Sequence, residues 1–537
     1  MSRIDRFVQG GGHGCLLENK KLFINSIMII IITVTVSFVK YRGGEVNYLN
    51  SDATWHTLLT MEAYEETPIS VHKFLPIVSL GGMDNKHISW GATIPDLEGN
   101  YYYTSFSPAG YVLPYFFVKI FHLPINEKSL YIFNTILFSI SAVLWLIFLL
   151  RVYKGSRVST GVALTGVLAY IFSPELFHGM GIVYWHQSVM QVTLLIQLLA
   201  YYIWKVESSR RAKILYFIMN VVNPYIEWTG YIANVGFAIA ELLMFWKKND
   251  KKTWKSVRMT GMLTIVSFLL FTVHYVSVVS TNDFFLALKN RFFARNFTTS
   301  VLLSDVFSGY LRSFLYLWVL VFILMAWVGV QNGRIEIRHK CLMLVLLFPL
   351  LENIVMKQHA LSYSYDRMKL AFILSFLICE LNEQILTNTS KKSFSILCIV
   401  INIVCCIGNV KSYLGNENYI WETCYRQNNK ILANYINCNY DDSILVTNAM
   451  VRGYLNLLFG KGIYERMDIE SVKNIAEAKG KEFVVEIKID DTNSWNMYQL
   501  RGAEIYNIST NAKEYVSVLE NGDLIVQEHE TDGYMYE

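Results

Sequence analysis

The sequence predicts a polytopic α-helical membrane protein of about eleven transmembrane helices, with a large first extracytoplasmic loop and a small C-terminal domain of α/β or α+β type. Three observations predict it. Of 537 residues, 53% are hydrophobic and only 17% charged, against about 25% charged in soluble chains. The apolar residues fall in long runs separated by loops in which lysine and arginine recur at every second position in the order. Beyond residue 412 the long runs stop and short alternating segments take over.

A spanning helix needs roughly 20 mainly apolar residues. Residues 22–39, 129–150, 158–174, 184–204, 228–246, 257–279, 310–330, 341–356, 368–385 and 393–407 meet that demand, and 212–222 is a shorter candidate. Arg3, Arg6, Lys20 and Lys21 precede the first run. That run is too long for a signal-peptide core and lacks a cleavage pattern, so it reads as an uncleaved first span.

With the N-terminus inside, loops 151–157, 205–213, 247–258, 334–340 and 391–392 fall on the cytoplasmic side, and each is rich in Lys or Arg, as the positive-inside rule requires. Residues 108–121 are apolar enough to span, but a span there would invert every later loop. They read as a re-entrant or interfacial helix. The expected organisation is a cytoplasmic N-terminus (1–21), a membrane region (22–412) with an extracytoplasmic loop at 40–128, and an extracytoplasmic domain (413–537). In the last, residues 443–447, 482–489 and 515–519 read as strands and 468–478 as a helix. Asp441–Asp442 and Asp490–Asp491 fall at strand ends, where turn chemistry explains them.

The net charge is +4, with no basic stripe and no nucleic-acid motif, so nucleic acid is not an expected partner. Cys341, Cys379, Cys398, Cys405 and Cys406 lie in apolar runs and read as small hydrophobes. Cys424 and Cys438 lie in the polar tail, where sequence alone leaves pairing open.

The polar residues of interest map to the outer side. The first loop opens with Ser-Asp-Ala-Thr-Trp-His, placing Asp52 and His56 one helical turn apart on one face; Ser51 or Asp52 also suits a helix cap. Glu62, Glu65 and Glu66 read as a solvated helix end. Tyr101, Tyr102, Tyr103 and Thr104 lead through Ser107 and Pro108 into the interfacial helix, with Tyr102 and Tyr103 as candidate sugar-stacking surfaces. Lys289, Arg291 and Arg295 sit in an aromatic-rich stretch suited to an interfacial helix. The segment 357–369 places Lys357, His359, Arg367 and Lys369 at the outer boundary, with Tyr363 and Tyr365 between them. These cations oppose the positive-inside pattern, which favours phosphate binding. His178, Tyr184, His186, Glu227 and Glu352 also map to outer span ends. Of these, His186 and Glu227 are candidate substrate-binding residues.

This arrangement suits displacement of a phosphate from an anomeric carbon. A phosphate leaving group needs cations, here Arg291, Arg295 and the 357–369 cations; the acceptor hydroxyl needs a base, here Asp52, with His56 beside it. The architecture resembles the GT-C superfamily of glycosyltransferases, near the bacterial protein mannosyltransferase and aminoarabinose transferase-like group. The resemblance rests on the early loop Asp52, the Tyr-Thr…Pro segment before an interfacial helix, the juxtamembrane stretch 283–297 and the C-terminal domain. It implies a polyprenyl-phosphate sugar donor and an inverting transfer to a glycan, lipid or protein hydroxyl, in a multi-pass protein of the plasma membrane. Where the group commonly carries Asp-Glu, this chain has Asp52-Ala53, so a second acidic role and a metal site have no support there. No cofactor is implied with certainty; a divalent metal is compatible with the chemistry.

Two other classes fit the same topology. A lipid-linked saccharide transporter or flippase predicts paired charges within spans and internal repeats. A polysaccharide polymerase or ligase uses the same outer face with a pyrophosphate-linked donor.

Overall fold

The computed structural model describes residues 13–42, 52–88, 90, 92–156, 158–180, 184–248, 251–297, 299–330, 337–388, 392–414, 422–448, 451, 453–465, 467–490, 499–519 and 521–529. Ser51, one of the two cap candidates, lies outside them.

The first half runs α1 (His13–Arg42), α2 (Asp52–Glu66), α3 (Ile69–His72), β1 (Thr93–Pro95), β2 (Tyr101–Tyr103), α4 (Ala109–Ile120), α5 (Glu127–Val152), α6 (Ser159–Ile171), α7 (Pro174–Gly179), α8 (His186–Glu207), α9 (Arg210–Ile226), α10 (Thr229–Lys248) and α11 (Lys251–Val276). It continues α12 (Thr281–Asn296), α13 (Leu303–Ser313), α14 (Leu315–Val330), α15 (Ile337–Leu347), α16 (Leu351–Val355), α17 (Lys357–Ser362), a 3-10 turn Ser364–Lys369, α18 (Leu370–Asn388) and α19 (Lys392–Leu414). Every segment expected to span is helical. Among the described residues five helices are long and apolar enough to cross a membrane, or six if the bent pair α13–α14, kinked by 79°, is one span. The other expected spans do not meet that test within the described residues, so the expected count of eleven is not established. Helix α4 covers 12 residues, about 18 Å, short of the ~30 Å hydrocarbon core.

The outward faces of these helices are apolar: Ile265, Leu269 and Val273 on α11, Phe322 on α14, and Ile396, Val404 and Ile407 on α19 are exposed. Contiguous exposed apolar rows suit lipid rather than water, as in a multi-pass membrane protein. Inside, α8 to α11 are tied by an amide network. Gln197 Nε2 donates to Asn220 Oδ1 (2.6 Å) and Asn234 Oδ1 (2.7 Å), Gln197 Oε1 accepts from Asn223 Nδ2 (2.6 Å), and Asn234 Nδ2 reaches Thr264 Oγ1 (2.9 Å). In lipid such side chains act as glue between helices.

The tail forms α20 (Glu422–Asn439), β3 (Ser443–Thr447), α21 (Gly453–Phe459), β4 (Ile463–Glu465), α22 (Ile469–Ala478), β5 (Phe483–Asp490), β6 (Gln499–Asn507), β7 (Lys513–Val518) and β8 (Leu524–His529). The sheet order is β4-β3-β5-β6-β7-β8, parallel from β4 to β5 and antiparallel beyond. Helix α22 is capped by Asp468, whose Oδ1 accepts from Ser471 N at 2.8 Å. Asp442 leads into β3 and pairs with Lys481 (3.1 Å), a turn role; Asp491 lies outside the described residues. Cys424 and Cys438 share helix α20. Fourteen residues of helix rise about 21 Å, well beyond disulfide reach, and Cys438 is free.

Candidate active site

Helix α2 is the axis of the site. Asp52 is its first residue, though the Asp52 side chain lies outside the described ones. One turn on, His56 is buried in an aromatic box, with ring centres at 4.3 Å from Tyr103, 5.0 Å from Trp90, 5.4 Å from Tyr111 and 5.5 Å from Trp185. Tyr111 Oη lies 3.4 Å from His56 Nε2. Burial, and then the nearby Arg291 guanidinium, push the imidazole down to about 3, so His56 is neutral at pH 7.

The strand alternation of β2 separates the two candidate tyrosines. Tyr103 faces the box. Tyr102 turns away and its hydroxyl donates to Asp96 Oδ2 at 3.2 Å, a loop-building role in place of the expected sugar contact. Beyond β2, Tyr275 of α11 clamps the chain, its hydroxyl shared between the carbonyls of Tyr103 and Phe106, both at 2.8 Å.

That clamp holds Phe106, where the site converges. The Phe106 ring meets Trp185 at 5.0 Å, His186 at 4.9 Å and His359 at 5.7 Å, and Arg295 stands 5.4 Å from its centre. His186 stacks on Trp185 at 4.4 Å and is fully buried, yet neither ring nitrogen has a hydrogen-bond partner. It fits only because residue 110 is glycine: a Cβ there would lie 1.9 Å from His186 Cδ2.

The two α12 arginines are the available cations. Arg295 is buried, and among the described residues its one hydrogen bond is a weak one to Met356 Sδ at 3.9 Å. Arg291 is half-buried, and among the described residues its Nε has no hydrogen-bond partner. Among the described residues, neither arginine forms an ion pair, and α12 turns Phe285, Phe292 and Phe293 outward. Lys357, at the start of α17, is half-buried and also makes no ion pair among the described residues; Lys289 is exposed.

Arg367 and Lys369 are placed differently from expectation. Arg367 Nε and Nη2 hold Glu175 Oε1 at 3.0 and 2.9 Å, and Nη1 donates to the Ala360 carbonyl at 2.7 Å. Lys369 pairs with Glu352 and with Asp366 Oδ1 (3.3 Å), and donates to Thr229 Oγ1 (3.1 Å). Their donors are committed to internal carboxylates, which removes both from the cations available to a phosphate.

Beneath the site, Glu227 Oε2 accepts from Thr229 N (2.9 Å) while Oε1 has no partner. Burial and the neighbouring Glu352 push the Glu227 carboxyl well up. Asp366, passed over in the sequence, joins Lys369, Gln187 Nε2 (3.0 Å) and His359 Nδ1 (3.1 Å). Tyr363 stacks near His359 (4.6 Å) and Tyr365 lies 5.5 Å beyond it. Tyr365 lines a small cavity with Gln187, Gln191, Asp366 and Lys369. Tyr184 donates to the Gly110 carbonyl; the His178 side chain lies outside the described ones.

The C-terminal sheet roofs this region. Trp55 of α2 packs on Tyr454 (5.0 Å), Trp90 Nε1 donates to the Val451 carbonyl (3.2 Å), and His87 stacks on Tyr464 (3.8 Å). Among the described residues no group of three His, Cys, Asp or Glu side chains can hold a metal ion, so the described residues do not fit a metal.

No family model and no curated protein sequence matches the chain. Solved structures do. ArnT from Cupriavidus metallidurans bound to undecaprenyl phosphate is similar at 10% identity, covering 87% of this chain and 93% of that one, with TM-score 0.54. The Archaeoglobus fulgidus oligosaccharyltransferase tethered to an acceptor peptide is similar at 12% identity (86% and 69% covered, TM-score 0.54), and the same organism's AglB with an inhibitory peptide and a dolichol-phosphate at 10% (86% and 69%, TM-score 0.53). A further Archaeoglobus fulgidus oligosaccharyltransferase structure holds Zn and sulfate, at 11% identity (86% and 68%, TM-score 0.53). At these identities the likeness shows the fold alone. The chain thus shares the fold of ArnT and of the Archaeoglobus fulgidus oligosaccharyltransferase.

Proposed function

We propose that this protein is an inverting glycosyltransferase that moves a sugar from a polyprenyl-phosphate donor to an acceptor hydroxyl at the extracytoplasmic face of the plasma membrane. The N-terminus is cytoplasmic in this reading and the C-terminal sheet lies outside. The observation that carries it is the pair Arg291 and Arg295: a half-buried and a buried guanidinium on a lipid-facing helix, without carboxylate partners among the described residues. A buried cation of this kind calls for an anion.

The roles follow from position. Arg291 and Arg295, with Lys357 at the rim, hold the donor phosphate and offset its charge as it leaves. Asp52, at the head of α2, takes the acceptor proton. Neutral His56 contacts the bound sugar or acceptor beside it. Tyr103, Trp185, His186 and Phe106 form the floor and keep water out. Attack by the acceptor on the face opposite the phosphate inverts the anomeric centre. The acceptor is a glycan, lipid or protein hydroxyl. No step is routed through a metal.

Buried charges such as Glu227, Glu352, Asp366 and Lys369 are what a transport reading needs. Here they are tied to one another, and they gather at Glu227–Thr229 and 352–369 beside the site. The test is a screen of purified protein with polyprenyl-phosphate sugars, scored by acceptor mass and product anomer. Sugar transfer with inversion is expected; transfer with retention, or none from any polyprenyl-phosphate sugar, would refute the assignment.

A further inference from the structure

One buried pair beside the phosphate cations is unused by the chemistry so far. His359 sits on α17 with Nδ1 3.1 Å from Asp366 Oδ2. Asp366 is fixed from its other side by Gln187 Nε2 (3.0 Å) and Lys369 (3.3 Å), and its carbonyl accepts from Asn353 Nδ2 (3.2 Å). Among the described residues Asp366 Oδ2 makes no other ion-pair contact and no hydrogen bond. A carboxylate this close favours a proton on Nδ1 and leaves Nε2 on the opposite side of the ring. The imidazole meets Phe106, the same ring that Arg295 covers. The dyad therefore stands next to the cation assigned to the phosphate.

We propose that Asp366 and His359 act as a proton-accepting dyad for the leaving lipid phosphate, with His359 as a further catalytic residue that touches the phosphate and Asp366 as its positioning residue. This deepens the proposed function and rests on it. In the transfer, the acceptor oxygen forms the new bond to the anomeric carbon and its proton passes to Asp52. The bond from that carbon to the phosphate oxygen breaks, its electron pair stays on oxygen, and the phosphodiester monoanion becomes a monoester dianion. His359 binds one proton from water at the outer face and donates it as an Nε2–H hydrogen bond to the new oxyanion. Asp52 returns the acceptor's proton to water at the outer face as His359 takes one up, and that proton stays on Nε2 facing the phosphate dianion, so protons and charge balance with no co-reactant.

The surrounding charges favour this division. The charged and titratable groups that act on His359 are Arg295 from α12, Glu352 from α16, Asp366 from the 364–369 turn, and His186 from α8. Burial holds the His359 imidazole below its ordinary value, with Arg295 acting the same way and Asp366 against both. Before the phosphate gains charge His359 is thus neutral. A dianion on Arg295 reverses the local sign and draws a proton onto the ring.

The test is calorimetric titration of the full-length protein with a polyprenyl monophosphate at pH 8, in buffers of different ionisation enthalpy. At that pH the free monoester is mostly dianionic, its second pKa being about 6. Wild type is expected to take up a substantial fraction of one proton on binding. His359→Gln is expected to take up almost none and to bind about ten-fold more weakly; Asp366→Asn is expected to fall between the two. Equal uptake in wild type and His359→Gln, or none in wild type with binding intact, overturns the dyad and leaves the parent assignment standing. No binding of the monophosphate by wild type would overturn both. The wild-type measurement needs no variant to fold.

Discussion

The Arg295 guanidinium stands 5.4 Å from the centre of the Phe106 ring. The α12 helix supplies the cation and the segment after β2 supplies the ring, so one contact joins the interfacial helix to the first outer loop. Tyr275 braces it from behind through the Tyr103 and Phe106 carbonyls.

Loss of this cation should be felt mainly in donor binding. A charge-assisted hydrogen bond contributes about 1.5–3 kcal/mol, so Arg295→Gln should weaken binding of a polyprenyl phosphate by about 10- to 150-fold. Phe106→Leu leaves the guanidinium in place and removes from it a cation–π term of about 0.5–2 kcal/mol, so its effect on donor binding should be smaller. Calorimetry on both variants checks the order.

Arg367 should behave in the opposite way. Removing one partner of a buried ion pair typically costs about 3–5 kcal/mol, so Arg367→Met should lower the melting temperature sharply. Donor affinity of the folded fraction should stay near wild type. A donor-binding loss matching that of Arg295→Gln would return Arg367 to the phosphate cluster.

His56 predicts an acid sensitivity. Its folded-state pKa is about 3 against about 6.5 unfolded. The unfolded chain therefore binds the extra proton between those values, and stability falls as pH drops through that window by up to about 1.4 kcal/mol per unit. His56→Gln should lose less melting temperature than wild type between pH 7 and pH 5. Equal losses would mean that the ring is not buried neutral.

The Gln197 network should matter to the membrane core. Gln197→Leu leaves Asn220, Asn223 and Asn234 without their shared partner. Hydrogen bonds between membrane helices are worth about 0.6 kcal/mol each on average, so a loss of about 1–2 kcal/mol is expected. Thermal unfolding in detergent measures it.

Much of this was legible in the sequence because its cause is local. Long apolar runs became helices, and the charge of the loops kept 109–120 apart as a short helix. Asp52 and His56, four residues apart, did come out on one helix. What was not legible depends on distant partners. Arg367 read as a free cation because Glu175, which binds it, is 192 residues away. Asp366 was overlooked within a cation-rich stretch, and Phe106 looked like any boundary aromatic. Tyr102 and Tyr103 are told apart only by which face of a three-residue strand turns inward. In the tail, β4 is too short and β6 and β8 too polar in alternation for their pairing to show.

The measurement that bears most directly on the central claim compares wild type with Asp52→Asn in lipid nanodiscs. Both are supplied with an acceptor and the polyprenyl-phosphate sugars, and released polyprenyl phosphate is quantified by mass spectrometry. Wild type should release it with sugar transfer to the acceptor, while Asp52→Asn should bind donor normally and lose at least about 100-fold in rate, the lower range for a positioned base. Undiminished transfer by Asp52→Asn would contradict the account.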